Sequence, residues 1–327
     1  MRPSPPSRSD RTRGGLGRGV LASWVLVWLA AMGASRPAKA QACCAGGAVV
    51  TPTRLALHED LALGLQVRAR SNRGSFDSQG RYAGTVGDER IFEQDLAGSF
   101  RFAGRGQAGA VLPMIETHRS AGGLSDTGGG LGDVALNARY DFLLASEALY
   151  WPGFGILAAA TLPTGRAPNE ATHPLTTDAT GAGTYDVTIG ADIEKVAGHA
   201  YAALNAWLTH RFDRAITVTA PGTPSTTIHQ SFSARLTLLA VAGYVFDSEA
   251  ALGVYVNLMN EGIATINGAE DPTTSLRLTT AGLAGVLPVR DRWRIQGAIF
   301  SDLRWSNFGR NEPAGLGLTA SLVWVWF

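Results

Sequence analysis

The 327-residue sequence predicts an all-β fold, a single up-and-down antiparallel transmembrane β-barrel of about 12 strands. Apolar and polar residues alternate along many segments, as they do in half-exposed strands. Short and long connections alternate between those segments. After residue 40, no apolar run reaches the ~20 residues of a membrane helix. Forty glycines and eight tryptophans also suit strands, turns and a membrane interface better than helices.

The first 40 residues have the pattern of a cleaved signal peptide. Four arginines between residues 8 and 18 precede an apolar stretch over residues 20–34, and residues 38–40 (AKA) form a small-x-small cleavage site. The apolar stretch is shorter than a spanning helix, which favours cleavage before Gln41 over a retained anchor. No Arg-Arg pair is present, so we expect export by the Sec route. Residues 41–53 would then form a short periplasmic segment, and residues 54–327 the barrel.

The charge and the cysteine content bear on which partners and modifications the protein can have. The leader carries seven of the 28 basic residues and one of the 27 acidic residues, so the mature chain has a net charge of −5. This balance gives no basic face for nucleic acid. Cys43 and Cys44 are adjacent, and we expect a structural or oxidised pair in an oxidising periplasm rather than a lipidated Cys43. We expect neither a metal ion nor a cofactor.

The strand pattern is clearest between residues 60 and 70. Leu61, Leu63 and Leu65 share one face, whereas Arg68 and Arg70 share the other. A soluble β-sandwich would alternate in the same way with its apolar side inward, so alternation alone leaves both folds open. The predicted strands span residues 54–71, 89–103, 107–117, 132–145, 152–163, 184–196, 199–212, 230–246, 249–260, 275–287, 292–303 and 316–327.

The connections favour the barrel. Those at 104–106, 146–151, 197–198, 247–248 and 288–291 are short, and those at 72–88, 118–131, 164–183, 213–229, 260–274 and 304–315 are long. Outer-membrane barrels have tight periplasmic turns and longer external loops, and a Greek-key sandwich has no reason to alternate in this way. With the mature N-terminus in the periplasm, the first strand runs outward and the last returns inward.

The last predicted strand carries an apolar stripe on even positions, including Leu318, Leu322, Trp324 and Trp326, which leads to Phe327. A terminal aromatic residue resembles the signal that the barrel insertion machinery reads. That machinery, outer-membrane lipid and lipopolysaccharide are the expected partners, together with small hydrophobic solutes. Phe327 has odd parity, so either the last residues break register or Phe327 lies at the membrane interface.

Three short motifs carry a family resemblance: residues 130–136 (GLGDVAL), 162–165 (LPTG) and 181–186 (GAGTYD). Their order and spacing resemble the outer-membrane transporters of the "MetA-pathway of phenol degradation" family, which are distantly like FadL/TodX-type channels. The resemblance implies a channel in the outer membrane of a Gram-negative bacterium. It also implies passive passage of small hydrophobic or amphipathic solutes, aromatic ones among them.

The polar faces of the predicted strands point into the lumen, where a channel would carry its selectivity. The alternative for each charged residue is a structural ion pair in the barrel wall, and this alternative is favoured for any single one because unpaired buried charges are unstable. The predicted pore-lining residues are Arg68, Arg101, Asp133, Asn137, Arg139, Asp186, Asp192, Arg235, Arg277 and Arg294.

Two other functions stay open at this point. A barrel of this strand count has limited interior room, so inward arginines could fill it and leave a non-conducting structural or adhesive barrel. A barrel hydrolase is less favoured, because a catalytic His needs a nearby nucleophile or acid. The six histidines are scattered, and His210, near the outer end of its strand, has no nucleophile motif beside it. We therefore expect no enzyme activity.

Overall fold

The computed structural model of the protein describes residues 54–145, 150–218 and 225–327. The predicted signal peptide, its cleavage site, the periplasmic segment 41–53 and both cysteines lie outside these ranges. Within them, no helix is long and apolar enough to cross a membrane. The helical structure there consists of two single 3₁₀ turns at Pro168–Glu170 and Pro272–Thr274.

The described residues form 18 strands. They are β1 (Leu61–Phe76), β2 (Tyr82–Phe102), β3 (Gly106–Ala121), β4 (Leu124–Leu131), β5 (Val134–Leu143), β6 (Gly153–Leu162), β7 (Asp186–Ala197), β8 (Ala200–Arg211), β9 (Arg214–Val218), β10 (Thr226–Ser231), β11 (Arg235–Val245), β12 (Ala251–Glu261), β13 (Ala264–Ile266), β14 (Ala269–Asp271), β15 (Leu276–Arg290), β16 (Trp293–Asp302), β17 (Gly309–Arg310) and β18 (Pro313–Trp326).

Twelve of these strands close a single antiparallel barrel. Going round the wall, the order is β1, β2, β3, β5, β6, β7, β8, β11, β12, β15, β16 and β18, which is the order in the chain. The barrel closes where β1 pairs with β18, in a register that starts at Leu61 opposite Trp326. The predicted up-and-down barrel of about 12 strands is therefore confirmed.

The apolar side chains of the wall face outward. On β1, Leu63 and Leu65 are 47% and 52% exposed on the outer face. Gln66, on the opposite face, is 2% exposed. The same alternation runs through β12, where Leu252 and Val254 are exposed and Gly253 is buried. This is the reverse of a soluble sandwich, which buries its apolar face. A continuous apolar exterior on a closed barrel is the surface that lipid covers.

The two ends of the barrel differ in their connections. At one end, which we call the turn end, the links are short, as between Ala197 and Ala200 and between Arg290 and Trp293. We call the opposite end the loop end. The long loops predicted there at 72–88 and 118–131 are largely strand. In the first, β1 extends to Phe76 and β2 begins at Tyr82; in the second, β3 and β4 form an antiparallel hairpin. The prediction of loops there was wrong, because glycine-rich and polar strands outside an apolar belt lack the alternation that marks a strand.

The remaining loop-end connections also contain β structure. Strands β9, β10, β13 and β14 form a separate four-stranded sheet from the two predicted loops at 213–229 and 260–274. A belt of aromatic side chains surrounds the turn end on the outer face. In it, Phe142 stacks on Phe154 at 5.9 Å and Tyr244 contacts Phe246 edge-on at 5.2 Å. Aromatic residues concentrate in this way at the boundary between hydrocarbon and water.

Candidate functional site: the barrel interior

The first barrel strand begins at Leu61, so the prediction of strand from residue 54 was wrong. Residues 54–60, which we call the plug segment, turn into the lumen at the turn end. Ala56 and Leu55 are 0% and 2% exposed, and Glu59 is 2% exposed. The segment looked like strand because its leucines continue the odd-numbered apolar stripe. Its backbone instead closes a tight turn, in which the N–H of Glu59 donates to the carbonyl of Ala56.

Two arginines of the barrel wall hold the plug segment. Arg294 on β16 donates from Nη1 to both carboxylate oxygens of Glu59, at 2.7 and 2.9 Å, and from Nη2 to the carbonyl of Arg54 at 2.7 Å. Arg101 on β2 donates to the carbonyls of Glu59 and Ala56. Both arginines were predicted to line a pore, and in the structure both bind the plug segment.

The plug segment also reaches the far side of the lumen. Arg54 forms an ion pair with Glu194 on β7 at 2.8 Å, and the N–H of Leu55 donates to Gln107 on β3 at 3.1 Å. Ala56 packs in a buried apolar cluster with Tyr201 and Leu239. Contacts with strands on opposite sides of the wall show that the segment crosses the turn end of the lumen.

The odd parity of Phe327 has a structural explanation in the same region. Strand β18 ends at Trp326, which is on the outer face. The ring of Phe327 stacks on His58 of the plug segment, with centroids 5.2 Å apart and planes 15° apart. Phe327 therefore lies outside the lipid-facing stripe, against the segment that fills the turn end.

Inward aromatic residues occupy much of the remaining turn-end interior. Tyr201 on β8 lies so close to the wall that a Cβ on Gly243 would stand 2.6 Å from its ring. Tyr255 on β12 packs in the same cluster as Tyr201 and Leu239. A glycine on a neighbouring strand thus leaves room for a large ring to lie along the wall.

A cavity of about 440 Å³ lies in the lumen next to the plug segment, bordered by Arg54. Of the described residues that line it, eight are neutral and polar, among them Asn137, Asn205 and Asn257. Its apolar part comes mainly from Trp207, Leu157 and Leu239, with small side chains between them. Two of the predicted pore-lining residues, Asn137 and Arg139, border this cavity.

The charges beside the cavity are paired. Arg139 on β5 contacts Asp141 at 2.6 Å and Asp192 on β7 at 2.7 Å. The two carboxylates are nearly inaccessible, with side-chain exposures of 9% and 2%. Because one guanidinium group serves two carboxylates across two strands, this cluster ties β5 to β7 over β6.

Further predicted residues form ion pairs nearer the loop end. Arg235 on β11 contacts Glu261 on β12 at 2.6 Å. Arg211 on β8 contacts the same carboxylate at 3.3 Å and lies 3.4 Å from Asp186. Arg68 on β1 pairs with Glu93 on β2 at 2.9 Å. Whether these paired charges set the selectivity of a pore remains a prediction.

Two predicted residues lie elsewhere. Arg277 is exposed on the outer face and donates to Asn260 at 3.2 Å, whereas its neighbour Leu278 faces inward and is buried. The inward assignment of Arg277 was wrong, because beyond the apolar belt polar side chains can lie on either face. Asp133 accepts hydrogen bonds from the backbone N–H groups of Gly165 and Ala182, at 2.9 and 2.6 Å. It therefore holds the start and end of the β6–β7 loop together.

The β6–β7 loop (residues 163–185) folds back onto the loop end around buried Asp178. Its carboxylate accepts from the N–H and hydroxyl groups of Thr172, from the N–H of His173 and from Arg166. These hydrogen bonds, that from the Thr172 N–H first, hold the pKa of Asp178 well below its usual range against the opposing effect of burial. The loop is thus anchored by an ionised carboxylate.

No cluster of three or more metal-ligating side chains occurs in the part of the chain that the structure describes. His210 is exposed on the outer face of β8, where its ring contacts Phe212 at 5.1 Å. That position faces away from the cavity.

Parity is consistent with several interior residues that were not chosen. Trp207, Asn205 and Tyr201 share odd positions on β8 with inward Arg211. Large aromatic side chains on barrel strands usually face lipid, so parity alone does not identify Trp207 and Tyr201 as inward residues. The signal was present in glycines such as Gly190, which pairs with Trp207 and leaves space for its ring.

No family model matches the sequence, and no curated protein matches it. Among solved structures, the chain is similar to the COG4313 outer membrane channel from Pseudomonas putida F1, with a TM-score of 0.68 and 16% identity over 83% of this chain and 97% of that chain. Two weaker similarities are to the translocator domain of autotransporter NalP from Neisseria meningitidis (TM-score 0.46, 14% identity, 82% and 88% coverage) and to the CymD monoaromatic hydrocarbon channel (0.39, 12%, 90% and 94%).

At such identities the similarity concerns the fold. The closed 12-stranded wall, the apolar exterior and the polar interior define an up-and-down β-barrel of the transmembrane type. The more specific resemblance to the phenol-degradation transporter family remains a prediction.

Proposed function

We propose that the protein is an outer-membrane channel for passive passage of small hydrophobic or amphipathic solutes, aromatic ones among them. The observation that carries the proposal is a lipid-facing barrel whose lumen holds a cavity of about 440 Å³ lined by both apolar and neutral polar groups. Cavities of this size accommodate small ligands. In this proposal the turn end faces the periplasm, the loop end faces outward, and lipid with lipopolysaccharide surrounds the wall.

Passage through this barrel requires the plug segment to move. Its anchors are the ion pairs of Glu59 with Arg294 and of Arg54 with Glu194, together with the carbonyl contacts of Arg101. Removing one partner of a buried ion pair costs about 3 kcal/mol, roughly a hundredfold in the equilibrium between a seated and a released segment. Glu59 is the carboxylate at the centre of these contacts.

The test is conductance in planar bilayers, combined with swelling of proteoliposomes in small neutral solutes. The wild-type protein should show rare openings, and Glu59→Gln should raise the open fraction at least tenfold. Glu93→Gln is the matched control, because its partner Arg68 belongs to the wall and does not touch the plug segment. Absence of channel events and of solute uptake in both folded wild-type protein and folded Glu59→Gln would refute the channel.

The same plug segment favours a second candidate, a non-conducting structural or adhesive barrel. A lumen crossed by buried residues and held by arginines on both sides is suited to rigidity as well as to gating. This candidate predicts that Glu59→Gln lowers the thermal stability of the barrel without producing conductance. A third candidate, a barrel hydrolase, predicts lipid or peptide turnover that His210→Ala abolishes.

A further inference from the structure

We propose that the luminal cavity is a binding site for an uncharged solute built on one six-membered ring with hydroxyl groups at its edge. The proposal rests on the proposed channel function in one respect, namely that the lumen is the route by which such a solute arrives. It adds the class of solute and the side chains that recognise it.

The first element of the site is an aromatic wall. Trp207 on β8 lies against the backbone of β7, since a Cβ on Gly190 would stand 2.5 Å from its Cδ1 atom and 2.9 Å from Leu157. The indole is therefore held along the wall beside Leu157, and both residues line the cavity. A flat apolar surface fixed in this way favours the face of another ring, by stacking or by contacts with ring C–H groups.

The second element is a set of side-chain amides. Asn137 on β5, Asn205 on β8 and Asn257 on β12 line the cavity from separate strands. In the described ranges, none of the three amides has a hydrogen-bond partner in the protein. Each amide offers two donors and an acceptor, which match hydroxyl groups because a hydroxyl can also donate and accept. Amides arranged around the cavity would meet hydroxyl groups placed around the edge of a ring.

The third element is the balance of charge. Arg54 and Arg139 are the charged residues among the described lining, and both are ion-paired, with Glu194, Asp141 and Asp192. A charged solute would lose its hydration and would find no unpaired opposite charge among these residues, which is unfavourable. The cavity therefore favours an uncharged solute over a carboxylate of the same size.

The proposal is tested by calorimetric titration of the purified folded barrel in detergent, where binding is measured without transport. Four probes separate the possibilities: catechol and myo-inositol carry hydroxyl groups on an aromatic and an aliphatic ring, toluene has no hydroxyl group, and benzoate is charged. We expect at least one hydroxylated ring to bind at least fivefold more tightly than toluene and benzoate. Catechol binding alone would identify an aromatic source, and myo-inositol binding alone a cyclic polyol.

Two variants assign the binding to this cavity. Trp207→Leu should weaken the binding of the preferred ring about tenfold, and Asn257→Leu should weaken it about fivefold by removing a hydrogen-bond partner. Trp305→Leu is the control, because Trp305 is exposed and contacts Phe308 outside the cavity, and it should bind as the wild type does. Should Trp207→Leu fail to fold, Trp207→Phe keeps a smaller aromatic surface and should give an intermediate affinity.

Failure of this proposal is distinct from failure of the channel. Tighter binding of toluene or benzoate than of both hydroxylated rings, no binding of either hydroxylated ring, or unchanged affinity in folded Trp207→Leu would overturn the site. Absence of conductance together with intact binding would support the binding site and refute the channel function.

Discussion

At the scale of single residues, the interior is organised by arginines that each serve more than one partner. Arg139 joins two carboxylates from different strands, and Arg294 joins a carboxylate and a carbonyl of the plug segment. Shared guanidinium groups suit this role because their donors form a rigid planar fork. The result is an interior in which a single substitution leaves more than one buried acceptor without its donor.

Replacement of Arg139 tests this arrangement. Arg139→Gln would leave Asp141 and Asp192 beside one another without the cation that they share, and we expect a loss of about 3 kcal/mol in stability. On a denaturing gel, the temperature at which the folded band disappears should fall by about 10 °C.

Arg277→Gln is the matched control, because Arg277 is exposed on the outer face, and we expect it to change stability by less than about 0.5 kcal/mol. Adding Asp192→Asn to Arg139→Gln should recover part of the loss, since one buried charge is removed. Equal stability of the two single variants would show that the Arg139 cluster does not stabilise the wall.

At the scale of elements, the β6–β7 loop is a long connection with a fixed shape. Asp178 ties residues 166, 172 and 173 together, and Thr177 donates to Asp126 on β4 at 2.7 Å. Arg119 on β3 adds contacts with Leu175 and Thr176. Through these contacts the loop covers the edge of β4 opposite β3, beyond the point where β6 ends at Leu162.

Limited digestion with trypsin measures how firmly the loop is held, because trypsin can cleave the peptide bond that follows Arg166 in the loop. We expect slow cleavage after Arg166 in the wild type and at least tenfold faster cleavage in Asp178→Asn, which loses the charge that organises the turn. Asp271→Asn, which removes the charge of a capping carboxylate in a different loop, should leave cleavage after Arg166 unchanged. Equal rates in wild type and Asp178→Asn would contradict the anchoring role.

The pKa of Asp178 sets the pH range of this anchoring. Its value is lower in the folded loop than in an unfolded chain, so its contribution is complete above the ordinary aspartate pKa of about 4. The contribution is lost only as the pH falls toward the depressed value. Protection of Arg166 should therefore persist between pH 5 and pH 8 in a digestion series that uses proteases suited to each pH. A marked loss of protection between pH 7 and pH 5 would contradict this.

At the scale of the whole molecule, closure leaves none of the twelve described wall strands with a free edge, since β1 pairs with β18 and β12 pairs with β15. A wall without free edges, held by continuous hydrogen bonds, resists detergent. An unheated sample should migrate faster on a denaturing gel than a boiled one, and the protein should fractionate with outer membranes. A single band position with and without boiling, together with absence from that fraction, would count against the barrel.

The wall could be predicted from the sequence because each strand has one lipid-facing side. That side appears in the sequence as apolar residues at every second position, such as Leu63, Leu65 and Leu252. The interior is less predictable, since inward positions accept charges, amides and rings alike. Trp207 and Tyr201 follow the inward parity but carry side chains typical of the outer face. The plug segment has the composition of a strand, and only its contacts with Arg294 and Gln107 distinguish it from one. Those contacts join residues over 50 positions apart, which local patterns cannot reveal.

The plug segment is continuous with the first strand of the wall, and that connection limits how it can move. Seven residues reach at most about 25 Å when fully extended, so a released segment stays close to the barrel mouth. A short tether keeps a detached group at a local concentration in the millimolar range. Release and return are therefore first-order events within one molecule, independent of protein concentration. In single-molecule current records such a tethered stopper would produce flicker, with dwell times set by its anchors, rather than a permanent opening.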